Sequence, residues 1–200
     1  MKRQYKNLWD IVKNKLNGIG KKDYVLHSKM VTRAMEEIIE GEGGNPDILI
    51  PAAMLHDIGW INVPRKFQFA KTHKDKIEAE KQHLEKAVPL IKKILQELQY
   101  SKSKIYQIIH VVTNHKSKKP GGDKNIECMV DADNLSDTYK ESFYSDAVAY
   151  NVTPQEALEF RSKNSFFTET ANQIFRNQLQ IRKEEIENGK AFKIMDDLKK

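Results

Sequence analysis

Cysteine is almost absent: Cys128 stands alone among 200 residues. One thiol excludes an intramolecular disulfide, a cysteine-rich zinc module and an iron–sulfur centre, and makes a reducing, cytoplasmic address the expectation. Long apolar runs are lacking too. The longest, over residues 48–55, is broken by Pro51, whereas a bilayer span needs roughly 20 apolar residues. The basic start Met1-Lys2-Arg3-Gln4-Tyr5-Lys6 is followed by Asp10, Lys13 and Lys15 rather than an apolar stretch, so neither a secretory signal nor a membrane partner is expected. Nine glycines and six prolines are too few for a disordered or collagen-like chain. No segment alternates apolar and polar residues as a half-buried strand does, and no internal repeat is present.

What is there is helix. Hydrophobic residues make up 39%, enough for one core in a chain of this length. Tyr5, Leu8, Trp9, Val12 and Leu16 share one face of a lead helix over residues 3–16, stopped by Gly18 and Gly20. That face either covers the core or forms a homodimer contact. Further helices are expected over about 24–40, 46–58, 76–98 (kinked at Pro89), 103–115 and 125–145, with residues 60–75 and 116–124 as loops. Thr153-Pro154-Gln155-Glu156 is a capping box with proline in the first turn, and a long helix over about 165–187 ends at Asn188-Gly189. The expectation is one all-α domain over residues 1–200. It has a bundle core over about 20–145 and a C-terminal helical extension over about 153–198. Bundles of this kind build their sites between inward faces.

Thirty-four Lys and Arg against twenty-eight Asp and Glu leave a net charge of +6, but the lysines are spread along the chain beside acids. The densest cluster, Lys116, Lys118 and Lys119, has no interleaved aromatics. This reads as a solvated surface with some attraction for phosphate groups, and not as a nucleic-acid platform.

The informative residues are polar ones on apolar faces. His27 lies inside the stripe Tyr24, Met30, Val31, Ala34, Ile38. His56-Asp57 ends the most apolar segment of the chain, and His83 shares a face with Ala79, Ala87, Leu90 and Ile94. His115 borders the stripe Ile105, Ile108, Ile109, Val112, while His110 points nearly opposite, beside Tyr106 and Thr113. Asp131 and Asp133 diverge by about 200° on a helix. Asp133 falls on the inward face with Ile126, Met129 and Val130; Asp131 falls on a polar face with Glu127, Asn134 and Thr138, supporting the site or simply solvated. A buried polar group without a partner costs about 1–3 kcal/mol. Several of them facing inward from different helices ask for one common partner, and a divalent cation satisfies imidazoles and carboxylates together.

His27, then His56-Asp57, then Asp133 resembles the H…HD…D signature of the HD-domain superfamily, which consists largely of metal-dependent phosphohydrolases with an all-helical fold. The words around the signature are similar as well. Ala52-Ala53-Met54-Leu55-His56-Asp57-Ile58-Gly59 resembles the family's apolar helix ending in HD and glycine. Asp131-Ala132-Asp133-Asn134-Leu135 resembles the DADxL stretch of small stand-alone bacterial members. Leu158-Glu159-Phe160-Arg161-Ser162-Lys163, Thr168-Glu169-Thr170-Ala171 and Arg182 before Glu184-Glu185 resemble their tail. Trp60 stands where many relatives have Lys, and nothing resembles the HHE…GYP pattern of cyclic-di-GMP phosphodiesterases.

The resemblance implies an HD-domain-like bundle with additional C-terminal helices. His27, His56, Asp57 and Asp133 would hold one ion. His83 and His115 (with His110 as the competitor) would hold a second, Asp57 bridging. It implies a divalent transition metal, iron or manganese first, with nickel, cobalt, zinc or magnesium compatible, in one or two copies. Metal-activated water would attack a phosphate ester, with Asp57 and His56 at the centre and cations nearby. The candidates are Lys66, Lys116, Arg65, Lys118 and Arg33. The substrate would be a small phosphorylated, nucleotide-like molecule. Alternatives are a diiron oxygenase on the same ligands, or a non-catalytic metal- or nucleotide-binding module.

Overall fold

Short polar side chains set where most of the helices start. A computed structural model describes residues 3–20, 22–70 and 72–198. In it Asp23, Asn45, Thr72, Ser101, Asp123, Thr153 and Thr168 each accept a hydrogen bond from a free backbone N–H one turn into the helix that follows, satisfying donors that would otherwise be orphaned. The expected capping box at Thr153 and Glu156 is complete in both directions.

After a 3-10 turn at Arg3–Tyr5, the described helices are α1 (Lys6–Leu16), α2 (Tyr24–Glu42), α3 (Pro46–Leu55), a 3-10 turn at Ile58–Asn62, α4 (Arg65–Gln68), α5 (His73–Glu97), α6 (Lys102–Thr113), α7 (Lys124–Ser136), α8 (Lys140–Tyr150), α9 (Pro154–Arg161), α10 (Glu169–Glu187) and α11 (Lys190–Leu198). There is no strand among the described residues, so the fold is all-α. Helix α3 is the hub. All of its residues from Ile48 to Leu55 are buried, as expected of a helix that is apolar all round, and α1, α2, α6 and α7 pack against it. Tyr5, Leu8, Val12 and Leu16 bury the lead helix on this same core, and the Tyr5 hydroxyl donates to the Pro46 carbonyl oxygen at 3.0 Å. A second, smaller apolar cluster joins Phe143, Tyr144 and Ala147 of α8 to Ala157, Ile186, Ala191 and Met195.

Two expectations about elements need correction. Residues 60–75 are not one loop but a 3-10 turn, the short α4 and the first turn of α5. Residues 125–145 are two helices, not one. Ser136 and Thr138 hydroxyls donate to the carbonyl oxygens of Asp133 and Leu135, taking acceptors that a continuing helix would use. The chain turns at Asp137, the C-cap of α7. Pro89 lies inside α5, which continues past it. No helix among the described residues is long and apolar enough to cross a membrane.

Candidate metal centre

Five elements converge at one end of α3. His27 comes from α2, His56 and Asp57 from the turn that ends α3, and His83 from α5. His115 follows the end of α6, and Asp133 comes from the last turn of α7. All six are buried. His27 Nε2 lies 3.2 Å from His56 Nε2 and 3.1 Å from Asp133 Oδ1. Asp57 Oδ2 is 3.3 Å from His56 Nε2 and 3.6 Å from His27 Nε2. The other oxygen, Oδ1, is 3.7 Å from His83 Nε2 and 3.9 Å from His115 Nε2. Two trios that could each hold an ion result, His27–His56–Asp57 and Asp57–His83–His115, sharing one carboxylate.

The donor set fits a divalent cation on its chemistry. The ring tautomers are fixed from behind. A carbonyl oxygen can only accept, so His56 Nδ1–H must donate to Ala53 O at 2.9 Å and His115 Nδ1–H to Val112 O at 2.6 Å. His27 Nδ1 faces Ser136 Oγ at 3.3 Å, whose own proton is committed to the Asp133 carbonyl. These bonds leave the Nε2 atoms of His27, His56 and His115 aimed inward, the arrangement that backs metal-bound imidazoles. His115 Nε2 and both nitrogens of His83 have no hydrogen-bond partner among the described residues. A bond of about 2.0–2.2 Å to an ion sets neighbouring ligand atoms roughly 3.0–3.6 Å apart, which the first trio and Asp133 already approach.

Charge agrees. Burial works against ionising Asp57 and Asp133, but His56 and His27 outweigh it for the first and Lys116 and His27 for the second; both carboxyls sit well below the usual range. Burial pushes His83 down to about 4 and His115 down to about 3, so both are neutral near pH 7 and able to ligate. His27 is the exception. Burial and Lys22 oppose its charge, but Asp133 and Asp137 outweigh them and raise it to about 9.

A cavity of about 580 Å³ opens onto His27, Asp57 and Asp133. Lys22, Lys76 and Lys116 reach its wall, with Tyr24, Trp60, Phe67, Phe69 and Tyr150 as aromatic lining. Lys116 Nζ is 2.6 Å from Asp133 Oδ2 while its side chain stays 42% exposed, so it both braces a site carboxylate and faces the cavity. Lys66 is elsewhere: it is exposed, lies 4.6 Å from the centre of the Phe67 ring, and is outside the cavity lining. Arg33 pairs with Glu37 over Tyr139, and Arg65 lies over Phe69. His110 is on the surface, 58% exposed and paired with Asp123.

Asp131 is the one acidic residue whose surroundings the helical phase misplaces. It is fully buried. Its carboxylate accepts from the Phe167 and Thr168 N–H groups and the Thr168 hydroxyl, the last two at 2.7 Å. The polar face of α7 is covered by the start of α10, which local periodicity cannot reveal. Lys22, Asp137 and Trp60 also belong to the site and carry no motif. Asp137, one turn after Asp133, was the more detectable by spacing.

A family model, HD domain, matches residues 24–138. No curated protein and no solved structure matches the chain. The match covers more than half of the 200 residues, from the helix bearing His27 to just beyond the turn that follows Asp133; the chain belongs to the HD-domain family.

Proposed function

We propose that this chain is a metal-dependent phosphohydrolase acting on a phosphate ester of a nucleotide or small phosphorylated metabolite. The observation that carries the reading is the meeting of four imidazoles and two carboxylates beneath a cavity whose wall carries Lys22, Lys76 and Lys116 beside Glu80 and Asp137. His27, His56, Asp57 and Asp133 would hold one ion; His83 and His115, with Asp57 in common, would hold a second. Iron or manganese suits this mixed donor set, and nickel, cobalt, zinc or magnesium is compatible with it. A divalent ion there supplies Lewis acidity, lowering the pKa of bound water and polarising a phosphoryl oxygen.

The chain's own side chains do the rest. Asp57 and Asp133 are held ionised by their neighbours, as carboxylates that ligate an ion and orient water must be. Lys116 and Lys22 place ammonium charge at the cavity wall, where the non-bridging oxygens of a phosphate would lie. Tyr24, Phe67, Phe69 and Tyr150 offer flat apolar surface that suits a planar base. The same ligands would serve a diiron oxygenase, but the lysines favour an anionic substrate.

The deciding experiment is a panel of nucleoside mono-, di- and triphosphates, cyclic nucleotides and small phosphomonoesters, each assayed with Mn, Fe, Co, Ni and Mg. Phosphate ester cleavage with at least one metal is the expected result. No cleavage across the panel, or oxygen uptake by iron-loaded protein without phosphate release, overturns the reading.

A further inference from the structure

Trp60 enters the site from the 3-10 turn just after His56-Asp57, and it is buried. Its indole Nε1–H donates to Asp57 Oδ1 at 3.1 Å. Its ring lies flat on His83, with centroids 4.8 Å apart and planes 7° from parallel. Tyr24 sits against it at 5.6 Å. These contacts favour one side of a divided carboxylate. Asp57 Oδ2 is the oxygen near His27 and His56, whereas Oδ1, the one the indole bonds, is near His83 and His115.

We propose that Trp60 is a positioning residue for a second cation held by Asp57 Oδ1, His83 and His115, and that it sets the affinity of that cation separately from the first. The proposal rests on the metal-site reading above. An indole has a donor, no acceptor and no charge, so Trp60 neither ligates a metal nor neutralises a phosphate. What it does is mechanical. A carboxylate oxygen has two lone pairs, and the indole takes one of Oδ1's. This pins the carboxylate's rotation and leaves the other pair for the ion. The stack supplies what His83 lacks. The rings of His56 and His115 are fixed by Nδ1–H bonds to backbone carbonyls, but His83 makes no hydrogen bond among the described residues, and its Nδ1 has only the half-exposed Glu80 carboxylate at 3.6 Å. Without the indole face, His83 would keep only that long Glu80 contact to orient its ring.

Calorimetric titration of Co²⁺ into the metal-free full-length chain tests this, with wild type, Trp60→Phe (stack kept, N–H lost) and Trp60→Leu (both lost). Wild type is expected to take up two ions, the weaker on Asp57 Oδ1, His83 and His115, which offer three protein ligands where the other site has Asp133 as a fourth. The Kd of the weaker ion should rise about 10-fold in Trp60→Phe and toward about 100-fold in Trp60→Leu, the range seen when outer partners of metal ligands are removed. The Kd of the tighter ion should stay put. Equal weakening of both ions, or an unchanged weaker Kd in Trp60→Phe, overturns the proposal. A single ion in wild type overturns it while leaving the metal site standing, and no Co²⁺ uptake at all overturns the metal reading with it. Should Trp60→Leu fail to fold, wild type against Trp60→Phe decides.

Discussion

His56 and Asp57 are where single substitutions speak most directly. Either change to Ala should abolish phosphate release while the helical circular dichroism spectrum persists, since each side chain offers an atom to the cluster. A retained hydrolytic rate in either variant would remove the mechanism. Histidines 110 and 115 form a built-in control: His115→Ala should cost metal binding measured by elemental analysis, and His110→Ala should not, because His110 is on the surface and bonded to Asp123. Most of the cluster was legible in the sequence for one reason. A histidine or aspartate in an apolar stripe is costly alone, so His27, His56, His83, His115 and Asp133 each announce a partner. Lys22, Asp137 and Trp60 were not legible in that way. Lysine and aspartate next to turns are common on surfaces, and the Trp60 indole N–H finds Asp57 only through the backbone path of a 3-10 turn.

Helix junctions carry their own tests. Asp131 on α7 holds the start of α10 through two backbone N–H groups and a hydroxyl. Asp131→Ala would leave those donors buried and unmatched, at a cost of about 2–3 kcal/mol. Thermal unfolding should show this as a Tm lower by roughly 4–12 °C. Gly59 marks a second junction: a Cβ there would run into the His83 carbonyl oxygen and the Ala87 nitrogen, both backbone atoms. Gly59→Ala should therefore force the 3-10 turn off α5, costing about 1–3 kcal/mol and loosening His83. Glu42, at the end of α2, makes a third. It bonds Lys124 Nζ at 2.6 Å and Thr170 N at 2.9 Å, and these bonds lower its carboxyl from 4.5 to about 2. Its contribution to stability is thus fully present above the unfolded value and is lost as pH falls through the folded one. Tm measured between pH 4.5 and 2 should fall less steeply in Glu42→Gln. Helix existence was readable from periodicity; these junctions were not, because each joins residues far apart in the chain.

The C-terminal helices are wired to the His/Asp cluster by charge. Arg161 on α9 donates from Nη2 to Asp146 at 3.1 Å and from Nε to the Asp137 carbonyl at 2.7 Å. Lys22 joins Asp137 and Asp146 at 3.1 and 3.8 Å, and Asp137 Oδ1 lies 3.5 Å from His27 Nδ1. Arg161 and Asp146 are buried, so Arg161→Met would leave Asp146 only its longer contact to Lys22 and the Asp137 carbonyl without its donor, at a cost of about 1–3 kcal/mol; chemical denaturation would measure it. The helix that joins these regions is α7, whose two aspartates, two residues apart, have opposite duties: Asp133 faces the His/Asp cluster and Asp131 grips the tail. Cation loading and tail docking thereby draw on the same rigid rod, and reciprocity binds them. An ion that steadies α7 should shield the tail from proteolysis, and a chain with its tail clipped should hold the ion less tightly.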